Sequence, residues 1–167
     1  IAAQGLPVVK QRKQKLSRNW AVIGQSQGGG AALHVALRAT SRSKEANLNF
    51  VGTVATGAPA YVEEIVLAGS PTFPPVPLPA GLNTYAMYIL AAFREANPNI
   101  DVDSALTPEG KRMVKAAEGS CYHELSSALK GTNVARAFSK PLREVPGLEH
   151  ALRAFMQTPA TGYDKPV

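Results

Sequence analysis

A five-residue stretch, Gly24-Gln25-Ser26-Gln27-Gly28, stands between an apolar run, Trp20-Ala21-Val22-Ile23, and a helix-like run from Gly29 to Thr40. Strand, sharp turn and helix must therefore follow one another with almost no chain between them. A G-x-S-x-G turn achieves this by holding its serine in a strained backbone conformation, with the hydroxyl pushed out above the strand end. Such strain costs about 1–3 kcal/mol, so the surrounding fold has to hold it in place. Gly24 and Gly28 are expected to be glycine because a side chain at either would collide with the backbone across the turn.

The flanking residues predict a βαβ unit. Residues 20–24 read as a buried strand, since four consecutive apolar residues suit a central parallel position. Residues 27–40 read as a helix whose Ala31, Ala32, Val35, Ala36 and Ala39 are small enough to pack closely on a sheet. Residues 41–49 read as a polar loop. Phe50-Val51-Gly52-Thr53-Val54-Ala55-Thr56-Gly57 is a second buried strand, rich in β-branched residues and ended by Gly57 and Pro59. Two parallel strands joined through a helix imply a right-handed crossover. Residues 1–19 read as a helix end followed by a basic connection.

After Ala60 the texture changes. Pro71, Pro74, Pro75, Pro77 and Pro79 exclude both helix and central strand, and mark a boundary. Beyond it the period is helical: Leu82, Tyr85, Ala86, Ile89, Leu90 and Phe93 recur at spacings of three and four. Thr107-Pro108-Glu109 is a helix start, with a capping residue before a proline at the first position, and Gly119 ends that helix. Short helices are expected at 120–130 and 132–139, and Leu148, Ala151, Leu152, Phe155 and Met156 stripe a last one. The resulting organisation is an α/β core segment over 1–60, a mostly helical insertion over 61–160, and a return toward the core over 161–167. Two strands make a poor parallel sheet by themselves, so the expected chain is the middle of a larger fold.

Composition narrows the class. The 167 residues are 45% hydrophobic and 18% charged, which suits a globular protein and is too apolar for disorder. No apolar run reaches the 18 or so residues of a membrane span, and Ile1 onward does not read as a signal peptide. The net charge is +6, with Lys10, Arg12, Lys13, Lys15 and Arg18 crowded together. Without interleaved aromatics or a reading helix this cluster does not indicate nucleic acid, and at most favours an anionic or lipid surface. The single cysteine, Cys121, excludes an internal disulfide; it is either a buried free thiol or half of a bond to something outside the chain.

The candidate chemistry centres on Ser26 as nucleophile, with the Gln27 backbone N–H as an oxyanion donor. A serine hydroxyl needs a histidine to take its proton. His34 lies eight residues on along the same helix and reads as a packing or exposed residue. His123 and His150 read as structural, yet either could serve Ser26 if the helical region folds over it. Asp101-Val102-Asp103-Ser104 begins like a calcium loop but lacks the third ligand, the glycine and the closing glutamate, so no metal is implied. Gly28-Gly29-Gly30 has no following Lys-Ser/Thr and implies no phosphate cradle; no cofactor is indicated. Tyr85, Tyr88, Ile89, Phe93, Phe155 and Met156 are expected mostly in the core, with a minority lining an apolar pocket.

At the elbow and around it the chain resembles the secretory lipase family of α/β-hydrolases found in actinobacteria and fungi. The residues that carry the likeness are Gly24-Gln25-Ser26-Gln27-Gly28-Gly29-Gly30-Ala31-Ala32, the strand ending Gly57-Ala58-Pro59, Leu106-Thr107-Pro108-Glu109-Gly110, and the closing Thr161-Gly162-Tyr163-Asp164-Lys165-Pro166-Val167. The resemblance implies a partial α/β-hydrolase fold with a helical cap or lid, and a secreted carboxylic ester hydrolase, lipase or esterase, acting on an ester or lipid through an acyl-enzyme at Ser26. It implies that Pro166-Val167 lead into the strand bearing the catalytic aspartate, with the histidine further on, and that the second oxyanion donor precedes Ile1. Cys121 would then tie the cap to the remaining part of the same hydrolase. Two other readings stand beside it: a non-catalytic interaction module that keeps the elbow, and a triad completed within the chain by His123 or His150.

Overall fold

In the computed structural model, residues 17–74 and 80–167 are described. The expectations for residues 1–16, including Lys10, Arg12, Lys13 and Lys15, and for Pro75, Pro77 and Pro79 lie outside them. The chain divides into two units, one of residues 17–60 with 158–167 and one of residues 61–157.

In the first unit, β1 (Asn19–Gln25), α1 (Gln27–Glu45) and β2 (Asn49–Thr56) form the expected βαβ element, and the strands pair in parallel with Trp20 beside Phe50 and Gln25 beside Thr56. The register shifts between Trp20 and Ala21, so Ala21 pairs with Gly52 and Val51 is the extra residue. Gly52 allows the tail to come close: Thr53 N–H donates to Pro166 O at 2.9 Å, and a Cβ on Gly52 would stand 3.0 Å from that oxygen. The two rings of Trp20 and Phe50 meet at 4.9 Å beneath Ala36 and Ala39 of α1, with Val22 and Tyr163 packed alongside.

Three expectations for this unit are corrected. The strands are not buried on both faces. Along β1 exposure alternates, and Ile23, Val54 and Val51 are 76%, 49% and 44% exposed, because α1 covers one face and no other helix or strand of this unit covers the opposite one. The helix does not stop at Thr40 but continues to Glu45 through the segment expected as a loop. Ser43 explains the extension: it continues the buried stripe Gly29, Ala32, Ala36, Ala39, and its hydroxyl accepts a 2.8 Å bond from Trp20 Nε1. That stripe leaves Ala31 and Val35, expected on the sheet side, exposed.

The second unit comprises α2 (Val62–Leu67), α3 (Ala80–Ala96), α4 (Pro108–Gly119), α5 (Tyr122–Ala128) and α6 (Leu148–Met156), with short 3₁₀ turns at Val102–Ala105, Val134–Ala137 and Leu142–Glu144. The expected helix at 132–139 is thus one 3₁₀ turn. Thr107 caps α4 as its sequence predicts, accepting from Gly110 N–H at 3.1 Å. A single core holds the unit together, built on Met87, Leu90, Phe93, Val114, Leu125, Leu142, Leu148 and Leu152. On α3 the buried face is rotated from the expected one. Tyr85 and Leu82 are 53% and 40% exposed, whereas Asn83 and Thr84 are buried, Asn83 Nδ2 donating to Thr132 O. Phe155 is also more exposed than expected, though its ring meets that of Phe93 at 5.7 Å.

Candidate active site

β1 delivers the chain to Ser26 and α1 takes it away in the next residue. Ser26 has φ 53° and ψ −123°, a conformation that side chains rarely adopt. Its N–H donates to Thr56 O at 2.9 Å, which clips the turn to the end of the neighbouring strand. Thr56 Oγ1 also reaches Gly24 O, at 3.4 Å. This positioning by Thr56 escaped the sequence analysis; the only signal was the Thr56-Gly57 pair closing the second strand, where Gly57 has φ 55°.

The two elbow glycines are not equivalent. A Cβ on Gly24 would fall 1.9 Å from Gly28 O, so no side chain fits there. A Cβ on Gly28 would meet nothing within 4 Å, which corrects the expectation of a collision at that position. The second tight position is Gly29, where a Cβ would lie 3.1 Å from Thr56 O and 3.2 Å from the Ala58 methyl. Gly29 is buried while Ser26, Gln27 and Gly28 are exposed.

Ser26 stands at the N-cap of α1, yet its side chain makes no capping bond, and the hydroxyl is exposed. The first helical bond runs from Gly30 N–H to Ser26 O at 3.2 Å, so the N–H groups of Gln27, Gly28 and Gly29 precede the ladder. The positive end of the helix dipole thus adjoins an exposed serine oxygen.

The other candidates are placed less informatively. His34 is exposed on α1, about 12 Å of helix rise beyond Ser26. His123 is exposed on α5 with its ring against Tyr122 at 5.7 Å, and His150 is exposed on α6. Among the described residues none of the three makes a side-chain hydrogen bond to a carboxylate. Asp164 accepts instead from Thr40 Oγ1 at 2.9 Å. Asp101 caps the 3₁₀ turn through Ser104 N–H, and Asp103 pairs with Arg94 at 2.8 Å. Cys121 is exposed, which corrects the buried-thiol reading; its N–H donates to Glu124 Oε2 at 3.2 Å. No helix among the described residues is long and apolar enough to cross a membrane. In comparisons with known proteins, no protein-family model, no curated protein and no solved structure matches this chain.

Proposed function

We propose that this chain carries the nucleophile elbow of a serine carboxylic ester hydrolase, a lipase or esterase of the secretory lipase type that its sequence resembles. One observation carries the reading: a non-glycine residue, Ser26, holds φ 53° and ψ −123° with an exposed, uncapped hydroxyl at the start of a 19-residue helix. Strained serines of this kind persist where the surrounding structure over-determines them, and they cluster at reacting sites. In the proposed reaction Ser26 Oγ attacks an ester carbonyl, the Gln27 N–H receives the oxyanion, the alcohol leaves, and water releases the acid from the acyl-serine. The base that takes the Ser26 proton is assigned by the resemblance to a histidine beyond Val167, with His123 and His150 as the alternatives within the chain. The helical unit has the part of a cap, and secretion and a tie through Cys121 to the rest of the hydrolase follow, by the same resemblance alone.

A fluorophosphonate probe followed by intact mass tests this. One adduct, lost in Ser26→Ala, supports an activated serine. Loss in His123→Ala or His150→Ala as well would place the base within the chain. Absence of an adduct, both on this chain and on any longer protein containing it, would sink the hydrolase reading in favour of a non-catalytic module.

A further inference from the structure

The second unit contains an open cleft of about 640 Å³, and Ser26 is not among its lining residues. Its walls come from the start of α4 and from the chain around the Val134–Ala137 turn. Gly110 brings them together: a Cβ there would lie 2.0 Å from Ala137 O, so only glycine lets the first turn of α4 rest on that backbone. Thr107 N–H donates to Ala137 O at 2.9 Å, Ser139 N–H donates to Ala105 O at 2.8 Å, and Leu106 bridges Phe138. Thr107 Oγ1 donates to Arg136 O at 2.6 Å, which fixes the backbone that carries Arg136.

This frame sets Arg112 of α4 and Arg136 of the turn on one cleft, with Asn133, Glu109, Pro108 and Phe138. Neither guanidinium is among the ion pairs of the described residues, whereas Arg42, Arg94, Arg143 and Arg153 all have carboxylate partners. Asn133 Oδ1 is occupied by Ala135 N–H at 3.0 Å, which leaves Nδ2 as a donor. Two guanidinium forks against one carboxylate give the lining a net charge of +1. A planar fork matches a carboxylate bidentately, and the exposed rings of Pro71 and Pro108, which also line the cleft, suit an apolar body. A dianion would be opposed by Glu109.

We infer that this cleft binds an organic carboxylate, its head on Arg112 and Arg136 and its apolar part against Pro71 and Pro108. The site does not depend on Ser26.

The test titrates sodium hexanoate into the full 167-residue chain and follows backbone amide NMR shifts. Saturable shifts are expected at Arg112, Asn133, Arg136 and Phe138. Arg112→Gln and Arg136→Gln are each expected to weaken binding about tenfold, the loss of one charge-assisted contact. Lys111→Gln, on the same helix outside the cleft, and Ser26→Ala are expected to bind as the parent does. Shifts that do not saturate, or arginine variants that bind as tightly as the parent chain, would overturn the proposal. So would equal binding of inorganic phosphate, or an equal loss in Lys111→Gln, since either would mean undirected charge attraction. Loss of binding in Ser26→Ala would place the hexanoate at the serine instead. Both arginines are exposed, so the variants retain the fold, and the dispersion of the same spectra checks it.

Discussion

Gly24 and Gly28 O approach so closely that a methyl group on Gly24 would sit 1.9 Å from that oxygen. The contact is backbone against side chain at the tightest point of the elbow, and no rotamer relieves it. Gly24→Ala is therefore expected to destabilise the chain by about 3 kcal/mol or more, in the range of strained backbone and overpacking combined. Gly28→Ala is expected to be neutral or to stabilise by up to about 1 kcal/mol, because alanine is the better helix former and the space is open. Urea unfolding of the two variants, followed through the single tryptophan, separates them. Equal losses would mean that the elbow is packed differently.

Ser26 bears its strain in the backbone, so stability and chemistry can be varied separately. Ser26→Gly relaxes a φ of 53° that glycine adopts freely and is expected to stabilise by about 1 kcal/mol. Ser26→Ala keeps the strain and removes only the exposed hydroxyl, so its stability should match the parent. Both variants are expected to lose reaction with a fluorophosphonate. A Ser26→Gly chain less stable than Ser26→Ala would show that the serine conformation is unstrained.

The elbow was legible in the sequence because its signals are local: two spaced glycines, an apolar strand before them and a small-residue helix after. The errors arise where burial depends on distant partners. Ser43 is polar and follows the last apolar residue of α1, so its segment looks like a loop until Trp20 Nε1, 23 residues away, supplies its bond. Asn83 is buried through Thr132 O, 49 residues away, and displaces Leu82 and Tyr85 from the face that periodicity assigned them. The open face of the sheet was concealed for a related reason, since Ile23 and Val54 are as apolar as residues that a layer covers. Nor did spacing reveal the meeting of Arg112 and Arg136, which depends on Gly110 touching Ala137.

The Ser43 bond can be weighed by itself. Ser43 is buried, and its removal leaves Trp20 Nε1 without that acceptor. Ser43→Ala is expected to cost about 1 kcal/mol, the ordinary net contribution of one hydrogen bond, partly offset by the better helix propensity of alanine. A red-shifted Trp20 emission should accompany the loss if the indole gains access to water. No change in either would mean that the helical extension past Thr40 rests on packing alone.

The second unit should carry the acid sensitivity of the chain. Glu64 of α2 and Glu149 of α6 share Arg153, and Arg143 of the Leu142–Glu144 turn joins both at 2.8 and 2.6 Å. The Arg153 guanidinium, first of all, holds the Glu64 carboxyl below its ordinary range by hydrogen bonding, and it does the same for Glu149 with Arg143 adding to it. Both groups have folded-state values below their unfolded ones, so they stabilise above the ordinary glutamate range near pH 4.5, and that stabilisation is lost as pH falls through the folded values. All four side chains are substantially exposed, so salt screens the network. The melting temperature of the second unit is therefore expected to fall as pH drops below about 4.5, and less steeply in 0.5 M salt. Arg153→Gln, which removes the shared partner, should flatten that slope more than Arg42→Gln, whose pair with Glu45 lies in the first unit. Calorimetric scans of the three chains across this pH range decide it, and an unchanged slope in Arg153→Gln would show that the network contributes nothing to acid unfolding.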